Sequence, residues 1–342
     1  MTADAPTLDQ RRARHAWEAV ERIKNAGGTS NPQLDPVDME WVTIEGKNLG
    51  PVLESVTYGS AGTGYTVPVE DCTNIAPPYT SMTCKVRPGI GGKHYWVIQT
   101  NKVAAGGQST AWTTYKSVGT PTISPSVIAT QGGLITLTGP ALHLRLLEKS
   151  PTASVGIQLY NHDTAQFEDT GATLGQFYDT VSFVAPQLRL AKVAKPGIRV
   201  RMYLRVTDPT HGVLGESKSP AVSFGYAPPR LDYLLIQNST NENVMLTAVG
   251  ANFGAYKTAG TGTICRSTGT HGACKDEASQ LASWTHTQIR WSITDWSSAA
   301  FPGNVTVRVG NDTHHLADSN TLRFVAKPPK IVNGTHLTHL AS

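Results

Sequence analysis

The chain has 342 residues, of which 39% are hydrophobic and only 16% charged, with 32 Gly, 21 Pro and a formal charge of +4. The composition is that of a folded protein long enough for two or three domains. The charge is too small by itself to mark a nucleic-acid binder, and no run of about 18 apolar residues spans a membrane.

Met1–Lys24 lacks the apolar stretch of a signal peptide. The segment "TLDQRRARHAWEAVERIKNAGG" instead brings Leu8, Ala16, Trp17, Val20 and Ile23 near one helical face and ends at Gly27-Gly28. It predicts a short N-terminal amphipathic helix within residues 1–28, a leader or docking element outside the main fold. Beyond it, helical periodicity gives way to short alternating runs: "VTIEG", "HYWVIQT", "SVGIQLYN", "RVRMYLRV", "QIRWSI" and "NVTVRVG". Many short strands between Gly-rich turns predict an all-β chain of β-sandwiches.

The strands repeat as a set. Pro32, Pro121, Pro229 and Pro329 are spaced by 89, 108 and 100 residues. The first three precede "WVTIEGKNLG", "LITLTGPAL" and "VMLTAVGANFG", each a strand that ends in a Gly corner. The last three follow "QSTAWTTYKSVGTP", "SKSPAVSFGYAPP" and "DSNTLRFVAKPP", each a Ser, a short strand with an aromatic, and a linker proline. Proline fixes φ and lacks a ladder donor, which suits a module boundary, and Pro-Pro makes a stiff spacer. The repeat divides the chain into residues 32–120, 121–228 and 229–328. Residues 329–342 are then a linker and the first strand of an incomplete fourth module. In that reading Lys330, Ile331, Val332 and Asn333 either continue into a longer protein or form an assembly strand that completes a neighbouring molecule.

The order of these motifs resembles the IPT/TIG family of immunoglobulin-like (E-set type) sandwiches. The third module carries it best, in "VMLTAVGANFG", "ICRSTGTHGACKDEASQLASWTHTQIRWSITDW" and "PGNVTVRVGNDTHHLADSNTLRF". The second is the most divergent. The resemblance implies an adhesion, receptor-ectodomain or scaffold role; other members sit in DNA-binding transcription factors or beside starch-processing enzymes.

Cys72 and Cys84 lie close together in the first module, and Cys265 and Cys274 in the third. Such local pairs suggest two disulfides and an oxidising compartment. The rival reading is a zinc site from Cys265, His271, Cys274 and His286, in looser spacing than zinc sites prefer. Glycosylation sequons fall at Asn238, Asn304, Asn311 and Asn333. Together these features predict an extracellular or cell-surface glycoprotein whose true start lies elsewhere.

No catalytic constellation stands out. "GIGGKH" at Gly89 has Arg87 where a phosphate loop needs its first Gly, and His94 where it needs Ser or Thr. There is no G-x-S-x-G or H-E-x-x-H, and no cofactor is expected. Trp284, Trp291 and Trp296 read as core, with a sugar-stacking platform as the alternative, in which Trp112 or Trp296 would hold the glycan. One feature suits binding. Arg199, Arg201, Tyr203 and Arg205 recur at period 2 and share one strand face, a ladder for an anionic polysaccharide or an acidic neighbour unless it is simply a solvated face. The expected function is non-enzymatic: tandem modules forming a glycosylated rod or filament through protein–protein contacts, including self-association. A receptor ectodomain binding protein or carbohydrate is the alternative, and an intracellular nucleic-acid binder a more distant one.

Overall fold

A computed structural model of the chain describes residues 20–324 except 48, 50–51, 75–78, 101–107, 162–163, 171–174, 178, 188–196, 240–242, 255–261, 269–274, 277–280, 294–302 and 310–316. Its strands form six sheets, two from each of three successive stretches of chain.

The first stretch contains β1 (Val20–Asn25), β2 (Gln33–Leu34), β3 (Trp41–Gly46), β4 (Leu53–Gly59), β5 (Tyr65–Val67), β6 (Cys72–Asn74), β7 (Ser81–Lys85), β8 (His94–Thr100) and β9 (Trp112–Tyr115). They order as β1-β3-β7-β6 facing β2-β9-β8-β4-β5.

The second contains β10 (Thr122–Ser124), β11 (Val127–Ile128), β12 (Gly133–Thr138), β13 (Ala153–Asn161), β14 (Gln166–Asp169), β15 (Gly175–Phe177), β16 (Thr180–Ala185), β17 (Ile198–Asp208), β18 (Gly212–Lys218) and β19 (Val222–Tyr226). Here β10-β12-β16-β15 faces β11-β19-β17-β13-β14, with β18 also on β17.

The third contains β20 (Arg230–Ser239), β21 (Asn243–Ala251), β22 (Gly262–Thr268), β23 (Lys275–Asp276), β24 (Leu281–Trp284), β25 (Gln288–Ile293), β26 (Gly303–Val309), β27 (Ala317–Asp318) and β28 (Leu322–Phe324). Its sheets are β20-β21-β25-β24 and β23-β22-β26-β27, with β28 also on β26.

These are tandem immunoglobulin-like β-sandwiches. Alternation in the sequence becomes alternation of burial: β8, β17 and β26 turn every second residue inward, burying Trp96 and Ile98, Met202 and Leu204, and Val305 and Val307. In the first two sandwiches the opening strand splits, and its second part pairs in parallel with the last strand, β2 with β9 and β11 with β19. In the third, the ten-residue β20 stays on one sheet and pairs with β21 along its length.

The N-terminal stretch corrects one expectation. Residues 1–19 lie outside the described part, but Val20–Asn25, expected to be helical, is strand β1, paired antiparallel with β3. A bulge between Val20 and Arg22 inserts one residue. Positions three apart would face opposite sides of a regular strand, but the inserted residue turns both Val20 and Ile23 into the core. A bulged strand therefore carried an i, i+3 pattern that reads as helix. The first sandwich begins by Val20, upstream of Pro32.

One device closes each sandwich in the same way. Ser109, Ser219 and Ser319 are buried just before the last strand. Each donates its backbone N–H to a carbonyl on the neighbouring strand, that of Trp96 (2.9 Å), Met202 (2.9 Å) or Val307 (2.8 Å). Each hydroxyl then accepts the N–H of that same residue, at 2.8, 3.1 and 2.9 Å. The hydroxyl proton goes forward to the carbonyl of Ala111, Pro220 or Asn320. The side chain thus replaces a ladder bond where the backbone departs, so the N–H groups of Trp96, Met202 and Val307 stay paired.

Cys72 and Cys84 face each other across β6 and β7 and are joined by a disulfide. The bridge lies within one sheet and ties down its edge strand, whereas the antibody-domain bridge links two sheets.

Ser219→Ala removes the acceptor of the buried Met202 N–H and should lower unfolding free energy by about 1–3 kcal/mol; urea denaturation checks this, and Ser219→Thr should retain much of the stability.

Candidate functional site

Two regions bring together groups that the sequence scatters: the joints between sandwiches, and the outer face of the β17 sheet.

Both described joints dock on the same place. The Gly corner at the end of the second strand runs Gly139-Pro140-Ala141-Leu142 in the second sandwich and Gly250-Ala251-Asn252-Phe253 in the third. Leu142 and Phe253 anchor it in the core. The position two after the glycine meets the preceding linker. Gly119 N–H donates to the Ala141 carbonyl at 2.8 Å. The Asn252 amide donates to the Pro228 carbonyl at 3.3 Å, and its Oδ1 accepts the Thr130 N–H at 3.4 Å.

Further contacts fix each joint. At the first, Val118 N–H donates to Ser217 Oγ at 3.0 Å. Gly215 of β18 lies so close to the first sandwich that a Cβ on it would sit 1.8 Å from the Ile90 carbonyl oxygen. Only glycine fits there without backbone movement. Beside this contact lies a cleft of about 370 Å³ lined by residues of both sandwiches, including Gly92, Tyr115, Glu216 and Lys218. At the second joint, the fully buried Thr130 accepts the Gly254 N–H at 3.3 Å and its hydroxyl meets His286 Nδ1 at 2.9 Å. The Gln187 amide meets His286 Nε2. Burial pushes the His286 pKa below its usual value, consistent with a neutral ring that accepts the Gln187 amide at Nε2 and donates from Nδ1 to the Thr130 hydroxyl.

The loop read as a failed phosphate motif is the wall of the first joint. Tyr115 donates to the Arg87 carbonyl at 2.6 Å, Tyr58 accepts the Arg87 N–H at 3.0 Å, and the two hydroxyls meet at 2.7 Å. Behind the loop, His94 is 1% exposed and stands edge-on to the rings of Tyr65 and Tyr115, each 5.4 Å away. Among the described residues neither of its ring nitrogens has a hydrogen-bond partner. Burial pushes its pKa down to about 4, against a weaker opposing pull from the Ile90 carbonyl.

On the outer face of the β17 sheet, Arg199, Arg201, Tyr203 and Arg205 do line up, but with different neighbours. Arg199 stacks over Tyr160 of β13 at 3.7 Å. Arg201 stacks over Phe167 of β14 at 4.0 Å and donates to Gln158 Oε1 at 2.8 Å. The Tyr203 ring lies flat across Gly156, where a Cβ would come within 2.3 Å of it. Arg205 lies over Tyr203 at 4.9 Å and donates from Nε to Glu216 at 2.7 Å, and Glu216 also pairs with Lys218 at 2.9 Å. The ladder is thus an alternation of guanidinium and ring, with its charge compensated at the Arg205 end.

The other sequence candidates separate. Cys265 is disulfide-bonded and His286 is engaged with Thr130, so neither is placed as a zinc ligand. His271 and Cys274 lie outside the described residues. Asn304 is half-buried on β26, and Asn238 falls in β20. Asn311, Asn333, Trp296 and the tail Lys330, Ile331 and Val332 also lie outside the described residues. Trp284 and Trp291 are buried, with Trp284 Nε1 donating to the Phe253 carbonyl at 3.0 Å. Trp112 is half-buried beneath Lys93, 4.8 Å from the ring centre. No helix among the described residues is long and apolar enough to cross a membrane.

No family model matches the chain, and no curated protein matches it. Solved structures that align with it include the chicken CNTN1 FN1-FN3 domains, at 8% identity over 91% of this chain and 100% of that one, with a TM-score of 0.25. Titin domains A168-A170 align at 11% identity over 89% and 97%, with a TM-score of 0.21. The surface glycan-binding protein PbSGBP-B of Prevotella bryantii aligns at 11% identity over 75% and 57%, with a TM-score of 0.28.

His94 predicts acid sensitivity in the first sandwich. Its folded pKa lies below the unfolded value of about 6.5, so the unfolded chain takes up the proton first. The stability is fully present above about pH 6.5 and is lost as pH falls towards 4, by up to about 3 kcal/mol. Thermal melts across that range should show the loss, and His94→Phe should flatten this contribution.

Proposed function

We propose that the chain is a non-enzymatic extracellular structural or adhesive protein, a semi-rigid rod of tandem modules of the IPT/TIG type. The modules run to about residues 120, 228 and 328, and the first includes β1. The observation that carries the reading is the repeated joint. Each linker docks on the same corner position of the next sandwich, through one hydrogen bond at Ala141 and two at Asn252. A joint built twice to one plan suits an array whose modules hold defined angles, and a flexible linker would need none of these contacts. The disulfide at Cys72–Cys84 supports an oxidising compartment. Sugars at Asn238, Asn304, Asn311 and Asn333 would cover parts of the rod away from the contact faces, and the 330–333 strand would join it to a neighbouring module.

Small-angle scattering tests the rod directly. The native chain should give one narrow set of extended shapes. Gly215→Val at the first joint and Thr130→Ala at the second should broaden it, and double-variant profiles that superimpose on the native one would remove the rod reading. Thiol titration of the denatured, unreduced chain tests the compartment: no reactive thiol is expected, and four would exclude a disulfide-bearing extracellular protein.

A further inference from the structure

The outer face of the second sandwich holds two guanidinium groups that are fixed in place and, among the described residues, carry no paired acid. Among the described residues no carboxylate pairs with Arg199 or Arg201, whereas Arg205 and Lys218 share Glu216. The acid nearest the middle of the face, Asp169, lies beside the Tyr203 hydroxyl; burial first and Asp169 second raise the Tyr203 pKa. Stacking on Tyr160 and Phe167 occupies one face of each guanidinium and leaves as planar forks the in-plane N–H groups of Arg199 and the two Nη groups of Arg201, whose Nε donates to Gln158. Ring stacking also removes much of the side-chain freedom that a ligand would otherwise have to freeze.

We propose that Arg199 and Arg201 form a docking platform for an extended acidic segment of a partner protein, whose carboxylates on alternate residues meet the two guanidinium groups. Spacing and charge argue for this occupant. Arg199 and Arg201 are two residues apart on one strand, so they repeat at about 6.6 Å, which is also the same-side repeat of an extended peptide laid along β17. Paired positive forks call for bidentate carboxylates. An open sheet face receives a chain lying across it more readily than a small molecule, which needs a concave site. This deepens the adhesive reading by naming one partner chemistry. It does not depend on the stiffness of the joints, so scattering and binding can fail separately.

The test is fluorescence anisotropy of the full chain with a labelled peptide of alternating glutamate and serine, its glutamine counterpart, and labelled dextran sulfate. The glutamate peptide should bind saturably, more weakly at high salt, and the glutamine peptide should not. Arg199→Gln with Arg201→Gln should weaken binding at least about tenfold. Arg199→Lys with Arg201→Lys keeps the charge and the fold but loses the fork, and should still weaken it several-fold. Arg205→Gln should change affinity less than about threefold, because that group is already paired. Equal binding of the two peptides, or insensitivity to Arg199 and Arg201, overturns the proposal. So does Arg199- and Arg201-dependent binding of dextran sulfate with none of the glutamate peptide.

Discussion

Each sandwich enters its last strand through a buried serine, and the rest of the molecule depends on that bond. The chain entering the last strand departs from the ladder for a few residues, and that departure strands a backbone donor of the neighbouring strand in the core. Ser109, Ser219 and Ser319 each supply the missing acceptor from a side chain. With that donor satisfied, the strand restarts in register and points its exit at the next module. The positions of Val118, Gly119 and Pro228 in the joints follow from where these serines fix the strand start.

The joints use what the strands deliver. The Gly corner of the second and third sandwiches buries one apolar residue and leaves the neighbouring backbone or amide facing the incoming linker. Its two versions differ chemically: Ala141 offers only its carbonyl, whereas Asn252 reaches both Pro228 and Thr130. The first joint adds tight backbone packing through Gly215, and the second adds a hydrogen-bonded network around Thr130 and His286. The same location is therefore held by packing in one case and by polar groups in the other.

The strands and their inward residues were legible because alternation at period 2 is local. The repeated Ser was legible as a motif, but "SKSP" holds two candidates, and only the fold separates them: Ser217 receives the linker and Ser219 clasps the strand. The helix expected at the N-terminus failed at Val20–Asn25 because the bulge after Val20 imitates a helical spacing. The Arg ladder was visible along β17, but its aromatic partners were not. Tyr160 and Phe167 approach it through strand pairings spanning some forty residues, which nothing local encodes. His94 was read as part of a Gly-rich loop; its burial comes from Tyr65 and Tyr115, brought in by strands on either side of it.

The close approach of Gly215 to Ile90 is a stop and not a weld. Repulsion between touching backbones rises steeply when the angle between the first two sandwiches closes and vanishes when it opens. Opening is resisted mainly by hydrogen bonds such as those from Val118 and Gly119. The first joint is therefore stiffer in one bending direction than in the other. In the proposed rod this gives the first joint a preferred side, yielding less towards β18 than away from it.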